Sequence, residues 1–204
     1  TWHYRWNLHA FAAQGYVVAA VNYHGSSGFD ERFLGIIDGD LGHRELADTE
    51  AVTDALIREG VVDKKRLYAA GGSYGGYMAA WLEGHTDRFA ALINHAGVND
   101  FITQYGADVT PYGFTQVLGG TPWNNPEGMQ RNNPTTYAKN FNTPMLVIHG
   151  EMDYRVPYVN GTAFYQILQS MGVPSRLVIF PNENHWVLTP QNSIYWHWEM
   201  QNWL

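Results

Sequence analysis

Hydrophobic residues along the 204-residue chain follow two rhythms. Residues 16–22, 66–71, 89–95, 144–149 and 175–180 are short and mostly apolar on consecutive positions, as strands covered on both faces are. Between them, apolar positions recur at helical spacing over roughly 45–59, 74–83, 158–171 and 192–204. Strands alternating with helices predict right-handed crossovers and a mainly parallel α/β sheet with helices on both faces. Residues 99–139, with Gly119-Gly120, Pro122 and Pro126, follow neither period and read as an irregular insertion with short helices; long irregular segments in compact domains are often functional. With 45% hydrophobic residues and no repeat, low-complexity tract or linker, residues 1–204 are expected to form one domain.

Composition removes several classes of partner. Lys+Arg 12 against Asp+Glu 19 gives a net charge of −7, and the longest basic run is Lys64-Lys65-Arg66, so nucleic acid is not expected. The absence of cysteine excludes disulfides, thiolate metal sites and cysteine nucleophiles. It leaves the compartment open between cytoplasm and periplasm or secretion. No apolar run approaches the ~20 residues that span a bilayer, so no membrane partner is expected of a soluble chain. The opening residues carry no export-signal pattern.

The candidate chemistry centres on Gly71-Gly72-Ser73-Tyr74-Gly75. A predicted strand leads into this run and an apolar helical pattern leaves it. Such a turn is tight enough that side chains at both flanking glycines are expected to collide, leaving Ser73 exposed on a strained corner with the Tyr74 backbone N–H as an oxyanion donor. A nucleophilic serine needs a base, and the base needs an acid, in the order Ser, Asp, His at the ends of later strands. Asp153 and His185 follow the strands at 144–149 and 175–180. Glu151 and Glu183 flank the same turns and stay open as alternative acids. Of the nine histidines, His149 and His95 read as packed, hydrogen-bonded residues at strand ends, and His3, His9, His24, His43, His85 and His197 as surface or packing residues. No H-E-x-x-H pattern occurs, so neither a metal nor another cofactor is expected.

Four motifs, Asn22-Tyr23-His24-Gly25-Ser26-Ser27-Gly28-Phe29, Gly71-Gly72-Ser73-Tyr74-Gly75-Gly76-Tyr77, His149-Gly150-Glu151-Met152-Asp153-Tyr154-Arg155-Val156-Pro157 and Asn184-His185, together resemble the catalytic domain of the prolyl oligopeptidase family. The likeness is greatest to its acylaminoacyl peptidase and dipeptidyl peptidase V branch. The resemblance implies an α/β-hydrolase fold and a serine peptidase acting on short peptides, with Ser73 as nucleophile, His185 as general base and Asp153 as the orienting acid. It also implies that Arg155 contacts a substrate carbonyl and that Val156 lines the pocket for the residue before the scissile bond. The insertion supplies Phe101, Tyr105, Tyr112 and Phe114, which either wall an apolar pocket or pack a small subdomain. Family members carry an upstream β-propeller, and a strand ending in a His-Gly-Gly-Pro or Tyr-Gly type motif that supplies the second oxyanion donor. The chain is therefore expected to be N-terminally incomplete, with Thr1-Trp2-His3 in the loop after that strand. Homo-oligomers are compatible with the resemblance, and exopeptidase against endopeptidase action stays open. A carboxylesterase on the same fold, or a noncatalytic interaction domain, are the alternatives.

Overall fold

Four parallel strands, β1 (Tyr68–Gly72), β2 (Ala91–His95), β3 (Met145–Gly150) and β4 (Ser175–Phe180), form one sheet in the order β1-β2-β3-β4. The computed structural model describes residues 4–109 and 112–204. Thr1, Trp2 and His3, and the side chains of Tyr112 and Phe114, lie outside the described residues. The helices are α1 (Leu8–Ala12), α2 (Glu31–Gly35), α3 (His43–Arg58), α4 (Tyr74–His85), α5 (Phe101–Ala107), α6 (Tyr112–Val117), α7 (Pro126–Arg131), α8 (Val159–Ser170) and α9 (Pro190–Trp203). A 3₁₀ turn at Pro134–Asn140 leads toward β3.

The central strands β2 and β3 are buried at every position, which is why both read as mostly apolar runs, with Asn94, His95 and His149 as buried polar residues at their ends. Alternate residues serve opposite faces. Leu92, Met145 and Val147 pack with Ala80 and Leu82 of α4 and Phe164 and Leu168 of α8, whereas Ile93, Leu146 and Ile148 pack with Phe11 of α1 and Trp196 and Met200 of α9. Within the irregular insertion, Asp100 accepts from Thr103 N at 2.7 Å and Asn125 from Gly128 N at 3.1 Å, capping α5 and α7. No described helix is long and apolar enough to cross a membrane.

The expected strand at 16–22 is not formed. These residues run without strand pairing, and a cleft of about 610 Å³ lies between them and β1, lined by Val18, Ala20, Tyr68 and Ala70 among others. Period and residue type matched a strand, but a strand exists only by its ladder, and the edge of β1 is across the cleft.

Glu83, only 1% exposed on α4, ties that helix to the segment that enters β3. Its Oε1 accepts from Asn142 N at 2.7 Å and Thr143 N at 2.8 Å, just before β3, while Oε2 has no partner among the described residues. Burial outweighs these bonds and raises the carboxyl to about 7. Its folded value exceeds the unfolded one, so the stability it contributes is full below pH 4.5 and is lost as pH rises through 7. At 1.36 kcal/mol per unit the full effect is about 3 kcal/mol. Glu83→Gln keeps an acceptor for both N–H groups and is expected to flatten the fall in melting temperature between pH 5 and pH 8, read by thermal melts of both proteins.

Candidate active site

Ser73 sits where β1 turns into α4, with φ 59° and ψ −115°, a left-handed backbone that costs a non-glycine residue about 1–3 kcal/mol. The turn persists because its surroundings admit no alternative. Ser73 N donates to His95 O at 2.9 Å, and a Cβ at Gly71 would stand 2.2 Å from Gly75 O. The expected collision at Gly75 itself is not found. A side chain there would meet nothing within 4 Å, and the crowded glycine on the helix side is Gly76, whose Cβ would lie 2.6 Å from Gly97 Cα. Tyr74 opens α4, so its backbone N–H has no partner one helical turn back. Its hydroxyl is turned away and donates to the buried Glu45.

Asp153 lies in the loop after β3 and is 2% exposed. Its Oδ1 accepts from Arg155 N at 2.9 Å and Val156 N at 2.8 Å, and its Oδ2 from His185 Nδ1 at 2.7 Å. Burial pushes this carboxyl up, but hydrogen bonds from His149, His185 and Val156 outweigh burial and hold it well below the usual range. The competing carboxylates do not approach His185 in this way. Glu151 is exposed, and Glu183 accepts from Leu188 N, Thr189 N and Asn192 Nδ2 at 2.9, 3.1 and 2.7 Å, bracing the loop that carries His185. Among the described residues Ser73 Oγ makes no hydrogen bond to His185; catalytic hydrogen bonds commonly tighten only when substrate arrives.

His95, at the end of β2, supports the same loop from beneath. Trp196 Nε1 donates to its Nδ1 at 2.7 Å, leaving the proton on Nε2, which donates to His185 O at 3.4 Å. Burial, with His149 nearby, lowers this imidazole to about 4, so it is neutral.

The residues expected to meet substrate are brought together beside this pair. The Arg155 guanidinium is about half exposed and pairs with Asp108 just past α5. Val156 and Phe101 are each 2% exposed and share a cluster with Tyr77, so both back the wall from inside the core. Tyr105 packs edge-on against the exposed Trp123 at 5.3 Å.

One support escaped sequence reasoning. Asn94 Nδ2 donates to Gly76 O and to Asn99 Oδ1, Asn99 Nδ2 to Asn160 O, Asn160 Nδ2 to Gln104 Oε1, and Gln104 Nε2 to Arg155 O. This buried run of side-chain amides links the first turn of α4 to the Asp153 loop. Each residue alone is an ordinary polar position, and only their lack of exposure marks them.

A model described as the prolyl oligopeptidase family matches residues 2–204. The chain is 39% identical over 208 residues to dipeptidyl-peptidase 5 of Porphyromonas gingivalis and 38% over 207 residues to dipeptidyl-peptidase 5 of Schizosaccharomyces pombe, in each case across 100% of this chain. It spans 30% of the length of those relatives. The solved acylaminoacyl peptidase of Pyrococcus horikoshii superposes with a TM-score of 0.84 and 28% identity, over 89% of this chain and 30% of that one. The match extends through the strand-to-helix turn and both loops that carry Asp153 and His185, and the chain belongs to the prolyl oligopeptidase family.

Proposed function

We propose that the chain carries the hydrolytic machinery of a serine peptidase that cleaves short peptides, of dipeptidyl or acylaminoacyl exopeptidase type. The observation that carries this reading is the buried Asp153–His185 bond on the same sheet edge as the left-handed Ser73 turn. Similarity to dipeptidyl-peptidase 5 and acylaminoacyl peptidase supports the substrate class.

In the reaction, His185 Nε2 takes the Ser73 hydroxyl proton as Oγ attacks the peptide carbonyl, and Asp153 stabilises the imidazolium. The Tyr74 N–H faces the developing oxyanion. The imidazolium then protonates the leaving amine as the C–N bond breaks. Water, deprotonated by His185, attacks the acyl-enzyme, and the proton returns to Ser73 as the acid product leaves.

Arg155 is the residue assigned to a substrate carbonyl, with Tyr105 beside the approach and the buried Val156 and Phe101 behind it. A guanidinium offers several donors in a rigid fork, and its pairing with Asp108 fixes its direction. A charged hydrogen bond is worth about 1.5–3 kcal/mol. Arg155→Ala should therefore lower kcat/KM on dipeptidyl and acylaminoacyl amides roughly ten- to a hundredfold while leaving a short acyl ester nearly unchanged. Equal losses on both would mean that Arg155 only props the loop. Hydrolysis of esters but of no peptide amide by the parent would overturn the peptidase reading in favour of a carboxylesterase.

A further inference from the structure

Asp153 is approached by a second imidazole. His149, near the end of β3, is fully buried, and its Nε2 lies 2.8 Å from Val156 O and 3.3 Å from Asp153 Oδ2. Both neighbours are acceptors, so the proton sits on Nε2 and is shared between them. Nδ1 has no partner among the described residues and faces Gly161 of α8, where a Cβ would stand only 2.6 Å away. The ring is thus fixed on both sides. The helix reaches it only through a glycine, and Val156, whose carbonyl takes the better bond, also donates its own N–H to Asp153 Oδ1.

We propose that His149 is a positioning residue for the acid: its Nε2–H locks the Asp153 carboxylate through the Val156 turn and draws off part of the charge that Asp153 presents to His185. The inference rests on the roles given above to Asp153 and His185. Oδ2 is the oxygen that both imidazoles address. A donor removed from one side leaves more negative charge for the other, which favours protonated His185. The other titratable or charged groups packed around this pair are His95 from β2, Arg155 and Glu183 in the two loops, and Arg5, whose guanidinium stands 3.7 Å from the Trp186 ring centroid. All of them remain when His149 is replaced.

The test compares His149→Phe and His149→Gln in the intact protein. The first removes the donor, and the second keeps an amide N–H of similar reach. His149→Phe is expected to lose about tenfold in kcat/KM, the low end for a hydrogen bond to a charged group, and to move the acid limb of its pH profile upward. His149→Gln is expected to restore most of both. A loss of rate in both variants with the acid limb unmoved would overturn the proposal and leave His149 as packing. The proton shared by His185 and Asp153 gives a second readout that needs no turnover. Its downfield resonance should move further downfield in His149→Phe, or in Gly161→Ala if the phenylalanine variant does not fold, since the added methyl group pushes the ring from its place. An unchanged resonance in a folded variant also overturns the proposal. If the parent protein proves inactive on every amide and ester, the proposed function fails, while the resonance still decides the role of His149.

Discussion

Ser73→Ala should abolish hydrolysis and eliminate labelling by a fluorophosphonate probe while the protein stays folded. The fold has little reason to change, because Ser73 Oγ holds no hydrogen bond among the described residues and alanine meets the same backbone cost at φ 59°. The chemistry has every reason to stop, because Oγ is the atom proposed to form the bond to the substrate. Loss of a nucleophilic serine in a triad enzyme costs about 10⁶ in turnover, with a residue of catalysis left by the oxyanion donors. Mass mapping of the adduct on the parent protein is the decisive measurement. A label on Ser26, or on Ser170, whose hydroxyl already donates to Ile167 O at 2.8 Å, would remove the assignment of Ser73.

Asp153→Asn should fold normally and lose about 10⁴ in kcat. The asparagine oxygen can still accept the Arg155 and Val156 N–H groups that bind Oδ1. Its amide N–H₂ then points at His185 Nδ1, where the carboxylate Oδ2 had accepted a hydrogen bond at 2.7 Å. His185 must answer with a lone pair on Nδ1, so the proton moves to Nε2 and no base faces Ser73. Steady-state kinetics with a circular dichroism spectrum beside it separate this tautomer effect from unfolding. A near-parental rate would transfer the acid role to another carboxylate, although Glu151 is exposed and Glu183 is spent on its own loop.

Much of this arrangement was legible in the chain because its determinants are local. β2 and β3 announce themselves by runs of consecutive apolar residues that end in buried polar ones, Asn94-His95 and His149, since both faces are covered. The Ser73 turn is legible because crowding by Gly75 and Gly97 leaves room only for glycine at positions 71 and 76. Asp153 and His185 stand one turn beyond consecutive strands, so counting elements places them on one edge. What stayed hidden depends on distance in space between residues far apart in sequence. Asn160 meets Gln104 across 56 positions and Arg155 meets Asp108 across 47, and no period encodes either contact. The sequence marks His149 only as a packed, hydrogen-bonded residue, because its approach to Asp153 depends on how the 151–153 turn folds back. Residues 16–22 carry strand character without a partner edge in reach, a condition that pattern cannot express.

The strand order has a kinetic consequence. Because β1, β2, β3 and β4 are neighbours in sequence order, each pairing closes only the loop made by the element between them, and loop-closure entropy stays modest except across the 99–139 insertion. The acid and base close over 32 residues through α8, so β3, α8 and β4 can assemble the Asp153–His185 bond as one local unit. Ser73 belongs to the β1–α4 turn, separated from that unit by β2. The slowest closure, over the insertion, is the one that brings nucleophile and base to the same edge. On the roles proposed for Ser73, Asp153 and His185, hydrolysis therefore needs β1 assembled with β3 and β4, and the β3–α8–β4 unit alone does not carry it.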